Sequence, residues 1–361
     1  MFADKRLRLW HLGQVVIQLI VLLVYSLLTL PNINKRGLWS LLICFVFCLL
    51  EFTLVKSESE QATRWQKINH YLEVLAITYT LPESLRLISK LILRFNFLNP
   101  TFWMIIVGIY TLVMYIPMAK LALAKVQNNW GRIILLALII FNNTVGAAQI
   151  AAADLGYTAA LEAAYDSGFA GCFALIIITL LAMHEWGFHA PHFKFGSKVS
   201  VGIIFLIICL LVLNIFYQIF PRILANPTWD YLYSTWQTYS FNLEFNLNLK
   251  MIFTVLEAGI AEEWLMRYCV LNLLLKIFQN NKWQLVLAVF FDGLIFGMWH
   301  LSNISFQSLP ATLYQMFGVG SSALFLAAIY LYTDSLLVGM IYHCLYDFPV
   351  FLFQGAADVG N

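Results

Sequence analysis

Long apolar runs, each near twenty residues and separated by short polar clusters, follow one another from one end of the chain to the other. A helix rises 1.5 Å per residue and needs about 20 apolar residues to cross the hydrocarbon of a bilayer. On that criterion the pattern predicts eleven helices, over 10–30, 38–55, 71–93, 101–119, 132–150, 168–184, 199–219, 250–278, 283–302, 311–332 and 334–353. The expected fold is therefore all-α, a polytopic transmembrane helical bundle of about 10–11 spans. The run at 71–93 fits least well. Pro82, Glu83, Arg86 and Lys90 interrupt it, and an amphipathic helix lying at the interface accounts for it equally.

Composition agrees with the pattern. Of 361 residues, 61% are hydrophobic and only 11% charged, against about 25% charged in water-soluble domains, so a soluble globular protein is excluded. The formal net charge of +2 carries no excess that would point to nucleic acid. Lys5, Arg6 and Arg8 precede the first apolar run and no A-x-A site follows Leu30, which predicts a retained signal anchor. With the N-terminus inside, Lys56, Arg64, Lys67, Lys120, Lys125, Arg132, Lys194, Lys198, Lys276 and Lys282 fall on the inner face. Fewer basic residues, Lys35, Arg36, Arg94, Arg222 and Lys250, fall outside, as the positive-inside rule favours. The C-terminus and the loop carrying Asp154, Glu162 and Asp166 are then exterior. The six cysteines, Cys44, Cys48, Cys172, Cys209, Cys269 and Cys344, lie in apolar runs without a CxxC pair and read as small buried hydrophobes.

One long connection, Pro221 to Leu249, carries Trp229, Tyr231, Tyr233, Trp236 and Tyr239, residues that settle at headgroup level. It divides an N-terminal multi-span region, 1–248, from a C-terminal region, 249–361. Ionisable residues inside apolar helices are costly and usually face the protein interior. The first region has few of them. The second has Glu257, Glu262, Glu263, Arg267, Asp292, His300, His343 and Asp347. Their density alone is consistent with helix packing as much as with a polar cavity where water meets a substrate.

Spacing favours the cavity. Glu263 and Arg267 are four apart and can pair on one helical face, while Glu262, about 100° further round an α-helix, is left free to meet another neighbour. One held acid and one free acid is what a general base in a dry site requires. Asp292, Phe296 and His300 form an i, i+4 stripe, with Gly297 beside it to admit another backbone. His343 and Asp347 again share a face, so that the carboxylate can orient the imidazole or polarise a ligand.

Glu262-Glu263-x-x-x-Arg267, Phe296-x-x-x-His300 and His343-x-x-x-Asp347, in that order on successive apolar helices, resemble the CPBP family of intramembrane proteases. That family takes in the type II CAAX prenyl endopeptidases and the bacterial abortive-infection (Abi) and bacteriocin-processing or self-immunity proteins. The resemblance covers roughly 249–353; residues 1–248 resemble nothing named here. It implies a multi-pass protein of a bacterial plasma membrane whose partner is a peptide or protein substrate, prenylated or bacteriocin-related. It implies that Glu262 and His300 activate water, that His343 and Asp347 bind the oxyanion or hold the site, and that Glu263 and Arg267 support them. The family's last motif ends in Asn or Asp, and an ionised Asp347 cannot donate as an amide does, so Asp347 is protonated, orients His343 or binds a metal. Two readings of the cofactor stay open: metal-free catalysis, which is favoured, and Zn²⁺ held by Glu262, His300 and His343.

Other signals carry less. His184 and His189 in HEWGFH are five apart rather than the four of a zincin, so the rings diverge, and the stretch to His192 reads as a polar interfacial loop. Val319-Gly320-Ser321-Ser322 falls short of a rhomboid-type serine motif, and Tyr346-Asp347 lacks the partner of a presenilin-type aspartyl protease; Gly318 and Gly320 read as a loosened or closely packed helix. Two other function classes compete. A non-catalytic immunity or scaffold protein would keep the polar cluster for packing. A transporter or channel would spread ionisable residues along a path, which these do not do. In the expected topology His300 lies nearer the exterior end of its span than Glu262 and His343.

Overall fold

A computed structural model describes residues 98–110, 126–137, 167–197, 199–224, 247–305 and 309–354, with single positions elsewhere between 13 and 164. The expected helices at 38–55 and 71–93, the aromatic connection around Trp229–Tyr239, the loop of Asp154 and Asp166, and Cys44 and Cys48 lie outside the described residues, apart from isolated positions. Among the described residues all regular structure is helical. The main helices are α1 (Pro100–Tyr110), α2 (Phe169–Glu185), α3 (Val201–Leu224), α4 (Leu249–Glu257), α5 (Asn272–Ile277), α6 (Gln284–Trp299), α7 (Leu309–Thr333) and α8 (Leu336–Gln354). Between α4 and α5 the helix continues in wider turns over Ala258–Glu262 and Trp264–Leu271, with i→i+5 bonding. Among the described residues one helical stretch, Thr312–Thr333, is long and apolar enough to cross a membrane; Leu175–Glu185, Val201–Phe216 and Gln284–Trp299 are shorter apolar helices.

The chain forms two compact units, residues 1–158 with 173–188 and residues 159–172 with 189–361. In the first, Asn128 caps a helix over 129–137 by accepting from the Trp130 amide at 2.9 Å. Buried Trp186 donates its indole N–H to the Leu123 carbonyl at 2.7 Å, and the Arg132 guanidinium lies 5.1 Å over its ring. The HEWGFH stretch is not a helical zinc motif. Helix α2 stops at Glu185, Gly187 takes φ +82°, and no helix resumes before Val201.

The second unit holds the region of ionisable residues. Asn248 opens α4, its side chain accepting from the Met251 amide at 2.8 Å. Helix α8 packs on α4, on the wide-turn segment, on α3 and on α7. Met251, Val255 and Leu352 fill the α4–α8 contact; Leu211, Leu326, Ile329 and Tyr342 fill the junction of α3, α7 and α8. The α7–α8 turn, with Asp334 at φ 49°, is held by the 189–197 segment: the Gly196 amide donates to Thr333 O at 2.6 Å and the Leu336 amide to His192 O at 2.9 Å.

Helices α6 and α7 meet backbone to backbone. A Cβ on Gly297 would lie 2.6 Å from the Met316 carbonyl oxygen, one on Gly293 2.8 Å from that of Gly320, and one on Gly320 3.0 Å from that of Gly293. Small residues at such a crossing let dispersion hold helices for which lipid offers no hydrophobic drive. Gly318, by contrast, has nothing within 4 Å, so of the two glycines in this part of α7 only Gly320 is closely packed. Gly297→Ala is therefore expected to destabilise by about 2 kcal/mol, as overpacking does, and Gly318→Ala to be neutral or slightly stabilising. Thermal unfolding of the two purified variants in one detergent checks this, with a lowered Tm for the first only.

In the second unit several outward positions are apolar while three charged groups are buried. Phe290, Leu294 and Met298 form an exposed stripe on α6, and Ile341, Leu345 and Phe348 are exposed on α8. Asp292, Glu263 and Arg267 are fully buried. Of the cysteines described, Cys172 and Cys269 are buried, Cys209 and Cys344 only partly so, and all four are free thiols.

Candidate active site

The wide-turn segment, α6 and α8 bring the three motifs together. The expectation that Glu262 and Glu263 sit on a regular α-helix is corrected here: Glu262 ends one stretch wound with i→i+5 bonds and Glu263 stands between it and the next, a winding that occurs mostly as short insertions in α-helices and frequently at functional sites. Room for the acids comes from glycines on α8 and before α2. A Cβ on Gly339 would stand 2.9 Å from Glu263 Oε2, and Gly168, at φ +79°, faces the side chain of Glu257. Gly259 lets α8 approach: a Cβ there would collide with Cys344 Sγ and lie 3.0 Å from its amide nitrogen.

His343 is the centre of the arrangement. Its Nδ1 lies 2.9 Å from Glu263 Oε1 and its Nε2 lies 3.4 Å from Asp347 Oδ2 and 3.7 Å from Glu262 Oε2. An ionised carboxylate only accepts, so Nδ1 carries the proton it gives to Glu263, and Nε2 is the nitrogen turned to the other two acids. Glu263 is paired in turn with Arg267, whose Nε donates to Oε2 at 3.0 Å and whose Nη2 reaches Oε1 at 3.4 Å. Arg267 Nη1 donates to Asp292 Oδ2. Glu263, Arg267 and Asp292 have no solvent exposure, whereas Glu262 keeps 28% and Asp347 18% of their side-chain surface. The buried charges are thus paired behind the imidazole and the accessible acids stand in front of it.

His300 joins through an aromatic ring. Its Nδ1 is 3.0 Å from the Phe296 carbonyl, which only accepts, so Nε2 is left as the bare nitrogen. The Phe296 ring meets His300 edge-on at 5.1 Å and His343 at 6.3 Å, and lies 5.6 Å under the Arg267 guanidinium. Among the described residues no hydrogen bond or ion pair links His300 to Glu262 or to His343. Glu262, His343 and Asp347 meet directly, then, and His300 stands beside them with Phe296 between.

Residues 244–349, which span all three motifs, match the model of a family described as Type II CAAX prenyl endopeptidase Rce1-like. This region belongs to that family, within the CPBP proteases. No curated protein and no solved structure matches the chain. The prenyl endopeptidase match is to a family of membrane proteases, and it begins just before the cap of α4 and ends within α8.

The expected Zn²⁺ alternative does not find its ligands gathered in this region: no group of three or more His, Cys, Asp or Glu among the described residues is placed to hold a metal ion. Two groups fell outside the motif reading. Asp292 closes the pairing of Arg267. Glu257, half-buried one turn before Glu262, interacts electrostatically with His343 and Asp347. The signal for both was present in the list of ionisable residues inside apolar helices; what the sequence did not give was their partners.

Proposed function

We propose that the chain is an intramembrane endopeptidase that hydrolyses a peptide bond of a hydrophobic, membrane-delivered peptide, with a prenylated C-terminal C-a-a-X segment as the favoured substrate class. The observation that carries this is the two-sided environment of His343: a buried, charge-paired Glu263 behind Nδ1 and two partly exposed acids in front of Nε2. The outward apolar stripes on α6 and α8 support a multi-pass setting in which substrate reaches the site from lipid.

In this reading Glu262 takes a proton from a water molecule as the water oxygen attacks the peptide carbonyl. The bare Nε2 of His300 is a second acceptor for that water. The carbonyl π electrons move onto oxygen, and the oxyanion is met by the Nε2–H of His343, an imidazolium that carries a proton on each nitrogen, with acids facing both. The tetrahedral carbon then expels the amine, and the proton held by Glu262 passes to the leaving nitrogen, so that one water is consumed and Glu262 returns to its starting state. Asp347, 3.4 Å from Nε2, orients that imidazole. Glu263 fixes its other nitrogen. No step needs a metal ion.

The test is cleavage of a farnesylated peptide ending in C-a-a-X by the full chain in proteoliposomes, with the cut mapped by mass spectrometry. A single internal cut, slower by about tenfold or more without the lipid, is the expected result. A folded chain that leaves the prenylated peptide and a panel of unmodified hydrophobic peptides intact would sink the reading and favour the immunity or scaffold role.

A further inference from the structure

We propose that Asp292 is a positioning residue for His343, acting through Arg267 and Glu263; this rests on the peptidase reading above. Asp292 lies on α6, eight residues before His300 and outside the three motifs. A guanidinium that faces one carboxylate settles with two parallel hydrogen bonds. Arg267 grips Glu263 in this way, Nε to Oε2 at 3.0 Å and Nη2 to Oε1 at 3.4 Å, and its remaining nitrogen, Nη1, is held by Asp292. Oε1 also makes the shorter contact, 2.9 Å, to His343 Nδ1. Asp292 thus anchors the far side of the guanidinium that fixes Glu263, and Glu263 in turn holds the imidazole.

A second observation agrees. Asp292 is fully buried, yet among the described residues its Oδ1 has no hydrogen-bond partner. An unpartnered buried oxygen keeps the penalty of its desolvation, so a carboxylate held in this way calls for a role beyond stability. The side of Asp292 that is met is the side that holds Arg267. Asp292 does not itself touch His343. That ring is faced by Glu262 and Glu263 from the wide-turn segment, Asp347 from its own helix, Glu257 from α4, and Phe296 with His300 from α6. Any effect of Asp292 on the imidazole must therefore travel through Arg267 and Glu263.

The experiment uses the full chain in proteoliposomes with the farnesylated C-a-a-X peptide as probe, beside ¹⁵N spectra of histidine-labelled protein in which His343 is identified by its loss in His343→Gln. Asp292→Asn keeps volume and an oxygen but removes the charge that draws Nη1. The expected result is a fall in kcat of about tenfold or more with KM nearly unchanged, because the imidazole is misplaced while the substrate contacts remain. Asp292→Glu recovers part of the loss. In the spectra, wild-type His343 carries a proton on Nδ1, and Asp292→Asn lowers its occupancy. An unchanged kcat, an effect confined to KM, or a wild-type His343 bare at Nδ1 overturns the proposal. If Asp292→Asn does not fold, the wild-type spectrum and the kcat of Asp292→Glu decide: Nδ1–H with a reduced kcat supports the role, and either one failing removes it. A wild-type chain inert on the probe whose His343 spectrum still responds to Asp292→Asn overturns the peptidase reading and keeps the positioning role.

Discussion

Glu262→Gln is expected to lower kcat on the prenylated probe about 10³-fold while KM and Tm stay near their wild-type values, because the amide keeps the shape of the side chain but cannot accept the proton of water. A thousandfold loss corresponds to about 4 kcal/mol of barrier, well above what a displaced side chain on the rim of a cavity would produce. Stability is expected to hold because Glu262 is outside the buried ion chain and retains 28% of its side-chain exposure. Steady-state rates on proteoliposomes and a thermal melt of the same preparation check both halves. Full activity in this variant would remove Glu262 as the base and promote the packing role of the acidic cluster.

Arg267→Met is expected to act in the opposite way, on folding first. Arg267 is the one cation met by both Glu263 and Asp292, and all three are without solvent exposure. Removing it strands two carboxylates in a dry interior, and breaking a buried pair in this manner costs about 3–5 kcal/mol. The variant should therefore melt far below the wild type or fail to accumulate. Neutralising the acids as well, in Glu263→Gln/Arg267→Met/Asp292→Asn, is expected to restore much of the Tm, since buried ion clusters are often replaceable by neutral groups of similar volume. The triple variant should stay inactive, because the group holding His343 Nδ1 is no longer a carboxylate. A triple variant that melts no higher than Arg267→Met would mean that the cluster is not held by charge pairing.

The parts of the site that sequence spacing revealed are those whose partners sit on the same helix. Glu263 and Arg267, and His343 and Asp347, are four apart, and such neighbours meet on any helix. Among the described residues the helices themselves were legible for the same reason: a run of apolar residues long enough to satisfy its own backbone bonds needs no information from elsewhere. The pairing of Arg267 with Asp292, 25 residues on, and of His343 with Glu263, 80 residues back, depends on how α6, α8 and the wide-turn segment pack. Nothing in a single sequence fixes that packing. Glu263 consequently read as half of a supporting pair with Arg267, without the bond it makes to the central imidazole. The glycines were half legible: Gly297 announced a close approach, but Gly339, whose missing side chain makes room for Glu263, looks in the sequence like any other helix glycine. The i→i+5 winding left no mark in the composition at all, since Ala258–Glu262 contains nothing that an ordinary α-helix would refuse.

That winding gives the chain an unusual vulnerability. A turn that holds a surplus residue would, if rewound into the commoner form with that residue kept, swing every side chain upstream through about 100° relative to those downstream. Glu257 would be carried away from Asp347 and His343 although every acid, base and imidazole was still encoded. The orientation of the acidic face is stored in how this short stretch is wound, so a change of winding there would undo the site as completely as the loss of a charged group.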